Sequence, residues 1–149
     1  EKMRKSAQEA ILWPWFEICD RICIDSTGLG IGWTDDAQDK FGEQRVEGVN
    51  FSGQVKEALA YPLKGAMEDR KVRIPEDAKI RADLRKVQKL TTAAGNIRFV
   101  AESTPDGHAD RFWALALAVH AGSNPSAPIE FTSGGPRESS QSFSGFIHG

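Results

Sequence analysis

Arg21-Ile-Cys-Ile-Asp25 is a short β-branched run that ends in an acid and leads straight into the glycine-rich turn Ser26-Thr-Gly-Leu-Gly-Ile-Gly32. An apolar run of this length, closed by a turn signal, reads as a buried strand. A strand buried on both faces needs helices packed against it, and the flanking sequence supplies them. Residues 5–19 start with good helix formers under a Ser6 cap, and Pro14 is expected to kink or end that helix. Thr34 is placed to cap a helix running to Phe41, with Asp35 and Asp36 in its first turn and Gly42 as its stop. Residues 45–49 read as a second strand. Ser52 caps a helix over 54–69 interrupted at Pro62 and Gly65, and residues 71–74 read as a third strand closed by Pro75. Ile80, Leu84 and Val87 make an apolar stripe on a helix over 76–88. Residues 96–102 are a fourth strand, and residues 109–121 form a helix apolar nearly all round, which must be buried. Strands alternating with helices predict an α/β fold with a largely parallel sheet.

The chain has 149 residues, of which 40% are hydrophobic and 27% charged, enough for one domain with a modest core. That balance excludes a disordered protein, a collagen and a coiled coil. No stretch approaches the ~18–20 uninterrupted apolar residues of a membrane span. No signal-peptide or transit pattern opens the chain, and it begins on Glu1 rather than Met, which reads as a fragment. Composition changes at Gly122: of the last 28 residues, 15 are Gly, Ser or Pro, so residues 122–149 read as a tail pinned at most by Phe131, Phe143 and Phe146. Cys19 and Cys23 are too few for a disulfide framework or a finger-type zinc site, and read as two buried thiols in a reducing compartment. The net charge of −2 and isoelectric point near 5.9 hide a local asymmetry. Residues 17–50 carry eight acids and three bases, whereas residues 64–89 carry nine bases and five acids. That pattern suits a metal-dependent enzyme acting on a polyanion, and equally an ordinary solvated helix face.

Asp25 stands directly after a strand, where open α/β sheets place their ligands, although Asp there also serves as a turn former. Asp110 opens the apolar helix, so its carboxylate lies at the edge of the core, where it also complements the helix dipole. Two carboxylates projecting into one cleft would hold Mg²⁺ or Mn²⁺, and two such ions could activate water and stabilise the leaving oxygen of a phosphodiester. His108 could position water or a phosphate, or cap a loop; Glu102 and Asp106 are spare acids near the same sheet end, while His120 and His148 look incidental. Gly28, Gly30 and Gly32 invite a dinucleotide-site reading, but the Gly-x-Gly-x-x-Gly pattern would need glycine where Trp33 stands.

Ile22-Cys-Ile-Asp-Ser-Thr-Gly-Leu-Gly30 and Gly107-His-Ala-Asp-Arg-Phe-Trp-Ala-Leu-Ala-Leu-Ala118 together resemble the C-terminal nuclease domain of phage terminase large subunits, particularly the Mu-like prophage kind. Val46-Glu-Gly-Val-Asn-Phe-Ser52 followed by Lys56, and Val72-Arg-Ile-Pro75, fall between them in the expected order. The resemblance implies an RNase H-like three-layer fold with a mixed, largely parallel sheet over residues 1–121, lacking its first strand or strands. It implies a metal-dependent endonuclease that cuts phage DNA during packaging. Asp25 and Asp110 would then be catalytic carboxylates that ligate Mg²⁺ or Mn²⁺, with His108 or Glu102 as water-positioning groups. Lys56, Arg70, Lys71 and Arg73 would contact the phosphates of double-stranded DNA. Portal protein and small terminase are the implied partners, the cytoplasm of a bacterial host the implied location, and an exposed sheet edge a route to a homo-oligomer. The family's first acid lies on an earlier strand, and nothing before residue 21 reads as that strand. Two other readings stand beside this one: a non-catalytic DNA- or partner-binding module of the packaging machinery, and a nucleotide-binding βαβ domain using Gly28–Gly32.

Overall fold

The structure is a computed structural model that describes residues 3–95, 97–101 and 109–123. The elements in chain order are α1 (Lys5–Ile18), β1 (Ile22–Asp25), α2 (Gly30–Phe41), β2 (Val46–Val49), α3 (Gly53–Glu68), α4 (Ala78–Lys86), β3 (Val87–Thr91), β4 (Ile97–Ala101) and α5 (Asp110–Ser123). β1 and β2 pair in parallel, with Ile22 opposite Val46, Cys23 opposite Glu47 and Asp25 opposite Val49. β3 and β4 pair antiparallel as a separate hairpin.

Alternation along the parallel pair sorts side chains into two cores. Ile22, Ile24 and Val46 pack with Ala37 of α2 and the aromatic group Trp13, Phe16 and Phe41. Cys23 and Val49 face the other way, onto Leu59 and Leu63 of α3 and Phe112, Trp113, Ala116 and Leu117 of α5. The result is a layer of α1 and α2, the parallel pair, and a layer of α3 and α5, with the hairpin against α3. Gly48 makes the first contact possible: a Cβ there would stand 2.7 Å from Thr34 Cγ2, so only glycine lets α2 lie this close on β2. Among the described residues no helix is long and apolar enough to cross a membrane.

Several elements depart from the sequence expectation for local reasons. Both α1 and α3 run through their prolines. Pro14 and Pro62 sit on the solvent face, and so do Ala10 and Ala58, whose carbonyls lose their partners and can be hydrated instead. α2 starts at Gly30, and Thr34 is no cap: it is buried and donates its hydroxyl to the Gly30 carbonyl at 3.0 Å. Residues 71–74 form no strand, and they follow Arg70 at φ 56°. The expected helix over 76–88 ends at Lys86, and Val87 begins β3. α5 continues to Ser123, and residues 124–149 of the expected tail lie outside the described residues.

One buried acid ties the layers together. Asp83 of α4 is 2% exposed and accepts hydrogen bonds from Lys86 Nζ at 3.2 Å, from the Arg111 guanidinium at 3.0 Å and from the Arg111 N–H at 3.4 Å. It thus holds the first turn of α5 from the side. Burial opposes ionisation of Asp83, yet its bonds to Arg111 and Lys86 outweigh that and keep the carboxyl below its ordinary range. A carboxyl depressed in this way contributes stability above its unfolded value, about 3.9, and the contribution is lost as pH falls through the folded value. Asp83→Asn is therefore expected to lower the melting temperature by several degrees at neutral pH. The gap to wild type should close once the pH drops below the ordinary aspartate range, as followed by circular dichroism.

Candidate active site

A cleft of about 490 Å³ opens at the C-terminal end of β1, lined by Cys23, Ile24, Asp25, Phe51, Lys56, Asp110, Trp113, Ala114 and Leu117. Asp25 reaches it as the last residue of β1 and Asp110 as the first of α5. Because His120, at the far end of α5, meets Glu47 beside Cys23, α5 runs antiparallel to β1, and this direction brings the two acids to one end.

The turn after β1 holds Asp25 in place. The Thr27 N–H donates to Asp25 Oδ1 at 2.9 Å, the Ser26 N–H to the Val49 carbonyl at 2.9 Å, and Thr27 Oγ1 accepts from the Phe51 N–H at 3.0 Å. Gly30 lies directly on the strand end, where a Cβ would fall 1.8 Å from the Asp25 carbonyl oxygen. Asp110 is set by Ala109, buried at φ 61°, whose carbonyl accepts from the N–H groups of Phe112 and Trp113, and by the Asp83–Arg111 pair beside it. Both carboxylates are exposed to the cleft, and neither has an ion-pair partner among the described residues. Lys56 joins them from α3: its ammonium lies 5.4 Å from the Trp113 ring centroid and 6.0 Å from that of Phe51, and those rings meet edge to face at 5.4 Å. Two aromatic faces hold the cation without neutralising it.

The other expected bases lie elsewhere. Arg70 is exposed, Lys71 pairs with Asp69 at 2.8 Å, and Arg73 lines a second cleft of about 510 Å³ with Lys79 and Arg111. Ala114 lines both clefts, so that basic surface adjoins the acids along α5. His108, Glu102 and Asp106 lie outside the described residues.

Sequence reasoning passed over Asp83 and a polar cluster one step down the same seam. Asp83 shares the apolar stripe of α4 with Ile80, Leu84 and Val87, and an acid at that spacing is the signal that could have found it. In the cluster, the Glu47 carboxylate is met by Arg21, by Cys23 Sγ at 3.6 Å and by His120 Nε2 at 3.4 Å. Burial, reinforced by the Glu47 charge, pushes the Cys23 thiol up to about 11.

Comparison with known proteins gives the family and the fold. The chain matches the family model described as the terminase RNaseH-like domain across residues 1–121. The chain belongs to that family. No curated protein matches it. Among solved structures, the terminase domain is similar to the large terminase nuclease from thermophilic phage G20c, a crystal structure with bound magnesium, at 30% identity and a TM-score of 0.62. That match covers 79% of this chain and 62% of the phage G20c chain. The three-layer α/β arrangement is accordingly RNase H-like.

The Gly30 contact makes the acid end of the terminase domain sensitive to a single methyl group. Gly30→Ala is expected to cost about 1–3 kcal/mol, since backbone rather than a flexible side chain must give way. Gly32→Ala, with nothing within 4 Å of its added Cβ, is the control expected to leave stability unchanged or slightly raised. Thermal unfolding of the two variants distinguishes them.

Proposed function

We propose that the cleft at the end of β1 is the active site of a metal-dependent endonuclease that hydrolyses DNA for a phage packaging terminase. The observation that carries this reading is the meeting of Asp25, Asp110 and Lys56 in one cleft, the acids without cation partners among the described residues and the lysine held on two rings. Hard carboxylate oxygens suit Mg²⁺ or Mn²⁺, so the donor set fits the ion that the phage G20c nuclease binds. Asp25 and Asp110 would hold the ion. When bound, it would supply charge stabilisation at the phosphoryl oxygens and a more acidic water.

The chain's own residues do the rest. Asp25 keeps its orientation through the Thr27 N–H, which occupies one of its oxygens. Lys56 offers a positive charge to a phosphate entering the cleft. Trp113 and Phe51 fix that charge. Arg73, Lys79 and Arg111 in the adjoining cleft would carry the neighbouring phosphates without reading sequence. Arg70 and Lys71, further out, would add long-range attraction. The partners in this reading are duplex DNA and other proteins of the packaging machinery, and His108 is kept as a water-positioning candidate.

Nicking of supercoiled plasmid with Mn²⁺, read beside Mn²⁺ binding by electron paramagnetic resonance, tests the proposal. Asp25→Asn and Asp110→Asn should each cut cleavage by roughly 10³-fold or more and weaken Mn²⁺ binding, with the fold intact. Lys56→Met should cost roughly 10²-fold in cleavage while Mn²⁺ still binds. Cleavage that survives both Asn variants rejects the site. Salt-sensitive DNA binding with no Mn²⁺ in the cleft would instead make this a non-catalytic binding module.

A further inference from the structure

We infer that Cys23, Glu47 and His120 form a second metal site, of the thiolate-containing zinc type, on the same β1–α5 seam as the acid cleft but chemically distinct from it. Cys23 and Glu47 stand directly opposite each other in the parallel register, on the sheet face that α5 covers, and His120 reaches them from the last turns of α5. The three candidate ligand atoms all lie within 4.8 Å of one another.

The two spacings to Glu47 match coordination without backbone movement, and Cys23 and His120 offer ligand atoms within 4.8 Å of each other. Zinc bonds of about 2.3 Å to sulfur and about 2.1 Å to nitrogen or oxygen, at tetrahedral angles, separate ligand atoms by about 3.4–3.6 Å. Cys23 Sγ lies 3.6 Å and His120 Nε2 3.4 Å from the same oxygen, Glu47 Oε2. Arg21, Cys23 and His120 all address that one oxygen, so the thiol and the imidazole converge on a carboxylate that also pairs with Arg21.

The donor set also selects the ion. Sulfur, imidazole and carboxylate together favour zinc over magnesium, while the all-oxygen pair Asp25 and Asp110 favours the harder ions. An ion at the cluster would deprotonate the thiol outright. Arg21 and Glu47 also line an opening of about 360 Å³ along β2. The proposal does not depend on nuclease activity.

Cobalt is the probe, since a cobalt–thiolate bond gives a charge-transfer band in the near ultraviolet. The full chain, kept reduced, is titrated with Co²⁺ and then challenged with Zn²⁺. The expected result is a band that saturates at one equivalent and disappears on adding Zn²⁺. It should be absent in Cys23→Ser, retained in Asp110→Asn, and weakened in affinity about tenfold or more in His120→Gln. Circular dichroism checks folding of each variant. If Cys23→Ser does not fold, His120→Gln carries the test. No band from the wild-type chain, a band that persists in Cys23→Ser, or unchanged affinity in folded His120→Gln overturns the inference.

Discussion

Burial of α5 against β1 and α3 sets the other placements in this molecule. Phe112, Trp113, Ala116 and Leu117 enter one core with Leu59 and Leu63, and Cys23 packs against it from the sheet. That packing fixes both the direction and the axial position of α5 relative to β1. Direction decides that Asp110 meets Asp25 rather than the opposite strand end. Axial position decides that His120 arrives at Glu47. The Asp83 clasp on Arg111 then keeps the first turn from fraying, at the point where the helix presents its acid.

The seam therefore carries two donor sets with opposite environments. At its upper end the carboxylates are exposed and supported mainly by backbone N–H groups and helix packing, and the nearby cation rests on aromatic rings. At its lower end a carboxylate, a thiol and an imidazole are crowded together with an arginine, and the Glu47 and Arg21 side chains are only 9% and 5% exposed. In the proposed function, exposure at the upper end leaves the acids open to a soluble ion and a polyanionic substrate. Burial demands neutralisation, either by Arg21 or by a bound cation.

Much of the upper end was legible in sequence, because its signals are local. A strand that closes on an acid and glycines, and an acid that opens an apolar helix, name Asp25 and Asp110 before any tertiary contact is known. Ser52 was likewise recognisable as the cap of α3, and it accepts from the Val55 N–H at 3.3 Å. The lower end is non-local. Cys23 and His120 are about a hundred positions apart, and only strand register and helix packing bring them to Glu47, so Cys23 read as a buried thiol and His120 as incidental. The first strand of the hairpin was missed for a related reason, although the second was expected: Val87-Gln-Lys-Leu-Thr continues the charged pattern of α4, and its strand character comes from pairing with β4. The prolines misled in the other direction, since water can take over the hydrogen bonds that they remove on exposed helix faces.

The proposed nuclease site stands or falls on whether Asp25 and Asp110 share one ion. A crystal of the chain soaked in Mn²⁺ and measured at the manganese absorption edge addresses that question without reference to turnover. The account predicts an anomalous peak in the cleft within coordinating distance of both carboxylates, with Lys56 still seated on Phe51 and Trp113. Carboxylates turned away from each other, with no peak between them under saturating Mn²⁺, would contradict it.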